Sequence, residues 1–123
     1  MMQKLFFIVG AVSGLLATVF GAFGAHALKG KLSPALLSAY HIGVQYQFYH
    51  SLALLLIAIL LYHSQSVWLS LSGSFFILGI LLFSGSLYVL SVTGITSIGI
   101  ITPFGGLSFI LAWLFLMIGF LKK

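Results

Sequence analysis

Residues 67–92 read VWLSLSGSFFILGILLFSGSLYVLSV. The stretch has no charged residue and no proline, and Leu, Ile, Val and Phe make up more than half of it. An α-helix needs about 20 such residues to cross the ~30 Å apolar layer of a bilayer. This one is long enough, and it opens with Trp68, a residue type that concentrates at membrane interfaces. Read as a membrane span, it decides how its neighbours are read.

The charge-free region extends far beyond it. No charged side chain lies between Leu32 and Leu121, a run of 121 − 32 + 1 = 90 residues. The chain has no Asp, Glu or Arg, and its five charges are Lys4, Lys29, Lys31, Lys122 and Lys123. Charged residues make up 4% of the chain, against about 25% in soluble domains. Apolar residues make up 62%, and the mean hydropathy is +1.29. In water such a surface would aggregate, so the expected partner is the lipid bilayer. The pI near 9.8 does not point to nucleic acid, which needs a basic stripe tracking phosphates. Here the lysines cluster at the two chain ends and one loop, where they act as membrane-edge anchors. There is no cysteine, which excludes disulfides and thiol chemistry.

Four spans result, an all-α membrane bundle in a single domain, 1–123. The first runs from about Leu5 to Leu28 and stops at Lys29-Gly30-Lys31. Its apolar run is too long for a cleaved signal peptide, so it is expected to stay as a helix. Ser33-Pro34 is a cap followed by a proline at the first helical position. A helix from there has an interfacial start at 34–40 and a second span over 41–62. His63 to Ser66 make a polar turn, and the third span covers 67–92. Thr102-Pro103 then repeats the cap-plus-proline start for a fourth span, 103–121. The termini share a side with the His63 turn. That side holds one lysine more than the other, which favours cytoplasmic termini.

Lipid is as apolar as leucine, so membrane helices associate through close packing and polar contacts. Gly10, Gly14, Ala17, Gly21 and Gly24 recur every three or four residues and form a smooth stripe on the first span, expected to pack within the bundle or against a second copy. Ser70, Ser74, Ile77, Leu81, Ser84, Tyr88 and Ser91 recur at the same spacing on the third, a face expected to turn inward.

The second span opens with HIGVQYQFYH, residues 41–50. Gly43, Tyr46, Gln47 and His50 share one helical face, while His41, Gln45 and Tyr49 fall near the other. An unpaired amide or imidazole in the membrane costs several kcal/mol. Tyr46, Gln47 and His50 should therefore meet polar groups on other helices, with His26, Ser84, Ser86, Tyr88 and Thr102 as candidates. An ionisable group inside a membrane is a functional candidate. Without a carboxylate, however, a carboxylate proton relay, a carboxylate metal site and a Ser-His-Asp triad are all excluded.

Several pieces together resemble the small bacterial membrane proteins of the YgdD/YwdK type, a domain of unknown function (family 423). They are Gly21 to His26; Tyr46-Gln47 with His50; Phe83 to Tyr88; and Thr102-Pro103, Gly105-Gly106 and Trp113. The resemblance spans nearly the whole chain in order. It implies four spans in the bacterial cytoplasmic membrane and no established activity. It adds Gly85, Gly105 and Gly106 to the packing glycines, and it makes the polar set (His26, Tyr46, Gln47, His50, Ser84, Ser86, Tyr88 and Thr102) a group expected to converge near one surface. Members of the family often carry an acid where this chain has Gln45, so a charge there is not needed for the fold.

The leading expectation is a non-enzymatic membrane protein, without cofactor, whose polar cluster is structural or lines a small cavity, and which contacts itself or another membrane protein. One alternative is a small oligomeric transporter or channel for protons or a small solute. Another is a haem or metal protein with His26 and His50 as ligands.

Overall fold

The computed structural model describes residues 1–122. Four long helices follow one another: α1 (Met2–Leu28), α2 (Pro34–His63), α3 (Val67–Thr93) and α4 (Thr96–Leu121). Each is apolar and long enough to cross a membrane.

The starts and stops follow local chemistry. The Ser33 hydroxyl accepts the Leu36 N–H at 3.2 Å, and the Ser66 hydroxyl accepts the Leu69 N–H at 3.4 Å, so each closes an open first turn. Gly94 ends α3 in the left-handed region, φ 72°, with its N–H on the Leu90 carbonyl at 2.7 Å. A Cβ would be strained there. Thr102 departs from the expected cap. A 3-10 turn over Thr96–Ile100 leads into α4, whose regular part, Thr102–Leu121, starts behind Ile101 without a side-chain cap. The Thr102 hydroxyl instead meets Ser86 on α3. Pro34–His63 forms one unbroken helix, with residues 34–40 as its first turns.

Two π-turns break the regular α pattern, Phe20–Gly24 in α1 and Ile80–Ser84 in α3. A π-turn adds one residue to the helical repeat and rotates everything after it. This corrects the expected inward serine face of α3. Before the turn the buried positions are Leu69, Ser72, Gly73, Phe76 and Gly79, while Ser74 faces outward and Leu81 is 65% exposed. After it Ser84 and Ser91 are buried. The serine stripe is thus interior only in its second half.

The helix α2 is central and packs against both α1 and α3, while α3 and α4 pair. The helices α1 and α3 meet only lightly. An apolar core of Phe6, Leu54, Ile57, Leu61, Leu69 and Phe76 fills the half nearer the His63 turn. Glycines set the closest approaches. A Cβ on Gly105 would collide with the backbone of Phe83, and one on Gly10 would come within 3.1 Å of the Ser51 carbonyl. Gly21 and Gly24 seat Val44 and the Tyr40 ring, and Ala17 is buried. Gly14 and Gly106 make only ordinary contact, at 3.8 Å. Gly85 is a correction: nothing stands within 4 Å of where its Cβ would be, so no helix packs into it. Gly43, Gly73, Gly79 and Gly119 are close-packed seats absent from the expected set.

Candidate functional site

Gln47 and His50 sit at the middle of α2, deep in the bundle, at 4% and 5% exposure. An amide there must find partners at both ends. The Gln47 Nε2 donates to the Ser13 carbonyl of α1 at 2.9 Å, and its Oε1 accepts from the Tyr88 hydroxyl of α3 at 2.5 Å. One side chain therefore ties three helices. Only this amide orientation gives a donor to the carbonyl and an acceptor to the phenol.

Around Gln47 the contacts extend in both directions. The Ser51 hydroxyl donates to the Gln47 carbonyl at 2.6 Å and lies 2.7 Å from the Ser13 hydroxyl. Toward the Lys29 loop, the Ser84 hydroxyl donates to the Gly43 carbonyl at 2.6 Å. The Tyr88 ring packs beside Phe20 and Tyr40, with centroids 5.4 and 5.6 Å apart. Gly43 makes room for that ring, which a Cβ would meet at 3.0 Å. Tyr40 donates to the Phe20 carbonyl at 2.6 Å, at the start of the α1 π-turn. Ser86 and Thr102 lie 2.6 Å apart and join α3 to α4.

His50 joins α2 to α4. Its ring stacks on Phe109, with centroids 3.6 Å apart and planes 6° from parallel. The Trp113 Nε1–H donates to its Nε2 at 3.1 Å, and its Nδ1 lies 2.6 Å from the Tyr46 carbonyl. Indole nitrogen only donates and a carbonyl only accepts. Those partners assign the neutral tautomer, with the proton on Nδ1.

Nine interhelical hydrogen bonds connect the described residues, and five of them end on a backbone carbonyl: those of Ser13, Phe20, Gly43, Phe75 and Ala112. At ~0.6 kcal/mol each in a membrane, they contribute about 5 kcal/mol. Between α1 and α3 a groove of about 400 Å³ opens toward lipid. Its walls are mostly apolar; Ser13, Gln47 and Tyr88 give it its few polar atoms, and Gly85 forms part of one wall.

The structure thus places Gln47, His50, Ser84, Ser86, Tyr88 and Thr102 in four separate sets of polar contacts between helices, around Gln47 and Tyr88, His50, Ser84, and Ser86 with Thr102. Two expected members fall outside. Tyr46 is 39% exposed. Among the described residues its hydroxyl makes no hydrogen bond, and its ring lies against Phe83 at 4.6 Å. Its share in the network is its carbonyl. His26 is exposed and lies beside His41 at the hairpin between α1 and α2. His41 is nine residues before His50, roughly 13 Å along the helix. His26 and His50 therefore do not share a site, so the expected convergence does not extend to His26 and the two histidines do not form a ligand pair. Among the described residues no three His, Cys, Asp or Glu side chains gather. Sequence reasoning missed Ser13, Tyr40, Ser51 and Phe109 altogether, and did not pair Trp113 with His50. Ser51 lies four residues after Gln47, and Ser13 lies among the small residues of α1, so helical spacing could have found both. Nothing local marks Phe109.

Four apolar spanning helices joined by an internal polar network define an integral membrane protein. No solved structure matches the chain. A family model described as "Protein of unknown function (DUF423)" matches residues 20–106, and the chain belongs to that family. It is 45% identical over 121 residues to the UPF0382 membrane protein YwdK of Bacillus subtilis (strain 168), covering 98% of both chains. It is 34% identical over 122 residues to the UPF0382 inner membrane protein YgdD of Escherichia coli (strain K12), covering 99% of this chain and 93% of that one.

Proposed function

We propose that this chain is a non-enzymatic protein of the bacterial cytoplasmic membrane, with cytoplasmic termini, whose polar network locks helix register and floors a small lipid-facing groove. One observation carries this reading: the polar side chains buried inside the bundle are already engaged. Both ends of the Gln47 amide and both nitrogens of His50 have partners inside the bundle. Among the described residues no fully buried side-chain nitrogen or oxygen lacks a partner. A general base, a proton carrier or a metal ligand at His50 would have to give up the Trp113 or Tyr46 contact first. The apolar core of Phe6, Leu54, Ile57 and Leu61 also closes the other half of the bundle. A packed apolar core of this kind gives no polar lining for a solute path through that half.

The test is native mass spectrometry of the protein released from mild detergent, with an absorption spectrum of the same sample and a proton-flux assay in liposomes. The expected result is no retained chromophore or metal and no flux above that of empty liposomes. Flux abolished by His50→Leu in a protein that still folds would overturn the reading in favour of transport. A retained haem or metal would overturn it in favour of cofactor chemistry.

A further inference from the structure

At the hairpin between α1 and α2 a pocket of about 360 Å³ opens between Gly21, Ala25, His26 and Lys29 on one side and Leu37 and His41 on the other. Small residues on α1 make the room. Three basic side chains, one lysine and two histidines, line it, and Lys31 follows two residues after Lys29. The chain has no Asp or Glu, so no carboxylate side chain of its own can neutralise this pocket. The hairpin ends two spanning helices and so faces the headgroup layer of a bilayer. Phe23, three residues before His26 on α1, is 72% exposed and offers apolar surface to an acyl chain.

We propose that this pocket binds the phosphate of an anionic phospholipid headgroup. Lys29 supplies the charge, while the imidazoles of His26 and His41 supply hydrogen-bond donors from the two helices. A zwitterionic headgroup fits less well, because its ammonium would enter a pocket with no acid to meet it. A lipid at this point would staple α1 to α2 where both leave the membrane. None of the side chains lining the pocket hydrogen-bonds to Gln47 or His50, so the two proposals fail independently.

The test uses the full chain in mild detergent. Phosphatidylglycerol and phosphatidylcholine are titrated separately, and the tightest-bound lipid is followed by native mass spectrometry. Phosphatidylglycerol should be retained in preference to phosphatidylcholine. Lys29→Gln should weaken its binding about fivefold, the effect of one basic residue at an anionic surface, and Lys29→Arg should restore it. The double variant His26→Gln, His41→Gln should weaken it as well. Lys4→Gln removes the same charge at the other end of α1 and should leave this binding unchanged. All these side chains are exposed enough for the variants to fold, which helical circular dichroism checks. Equal loss with Lys4→Gln, equal retention of phosphatidylcholine, or displacement of the lipid by millimolar inorganic phosphate would each overturn the proposal. The last result would reassign the pocket to a free anion.

Discussion

Gln47 illustrates how one side chain can specify a bundle. Its amide satisfies a carbonyl on α1 and a phenol on α3, so both neighbours are set against α2 at one level. Gln47→Leu keeps the size but removes the second hydrogen bond of the Ser13 carbonyl and leaves the Tyr88 hydroxyl without a partner. It should cost about 1–3 kcal/mol. Tyr88→Phe removes one bond and leaves the Gln47 Oε1 without a donor, and should cost about 1 kcal/mol, the low end of that range. Unfolding in detergent measures both, and a double-mutant cycle should show coupling between them; simple additivity would argue that the bond is idle. At His50, replacement by Phe retains an aromatic ring against Phe109 but removes the acceptor for Trp113. In a Trp68→Phe background the single remaining tryptophan reports the change, and its emission should move to shorter wavelength. At this scale the sequence was informative about Gln47 and His50, because an amide and an imidazole in an apolar run demand partners. It was uninformative about Trp113, whose only requirement is one acceptor, and about Tyr46, whose hydroxyl could as well face outward.

Among the helices, contact is decided by where side chains are missing. Gly105 lets α4 lie on the backbone of Phe83, whereas Gly85 faces open space. Gly105→Ala should destabilise the protein by about 1–3 kcal/mol, as overpacking does, and Gly85→Ala should be close to neutral; thermal unfolding of the pair separates a packing glycine from a bystander. The sequence did not distinguish the two, since both lie in matching small-residue motifs and differ only in what stands opposite. The same limit applies to the π-turns. No residue type demands one, because the extra residue is held by packing on both sides of the turn. The serine period of α3 was therefore visible, but the rotation at Ile80–Ser84 that splits it was not. Inserting one residue after Ile77, in the regular part of α3 before the π-turn, would turn Ser84, Ser86 and Tyr88 by about 100° relative to the first half of the helix, whereas deleting one from Ile80–Leu82 should only restore a regular turn. Loss of the folded peak on size-exclusion chromatography is the expected result of the insertion.

For the whole molecule, the governing facts are an apolar exterior and a sparse set of cations. The span count was legible because a 90-residue charge-free run leaves few alternatives to membrane helices. Which way round they sit rests on three lysines against two. Reporter fusions at the C-terminus should give a cytoplasmic signal, and Lys4→Gln, which equalises the count, should give a mixture of orientations. An unchanged signal would mean that some other feature sets the topology.

Five of the interhelical bonds end on a backbone carbonyl, a group that every amino acid carries. At those contacts only the donor is written in the genetic text; the acceptor is anonymous. Phe20, Phe75 and Ala112 are free to drift to other residues of similar volume without breaking the bond made to their main chain. A method that infers contacts from correlated substitutions would find little signal there, although those contacts hold the bundle together.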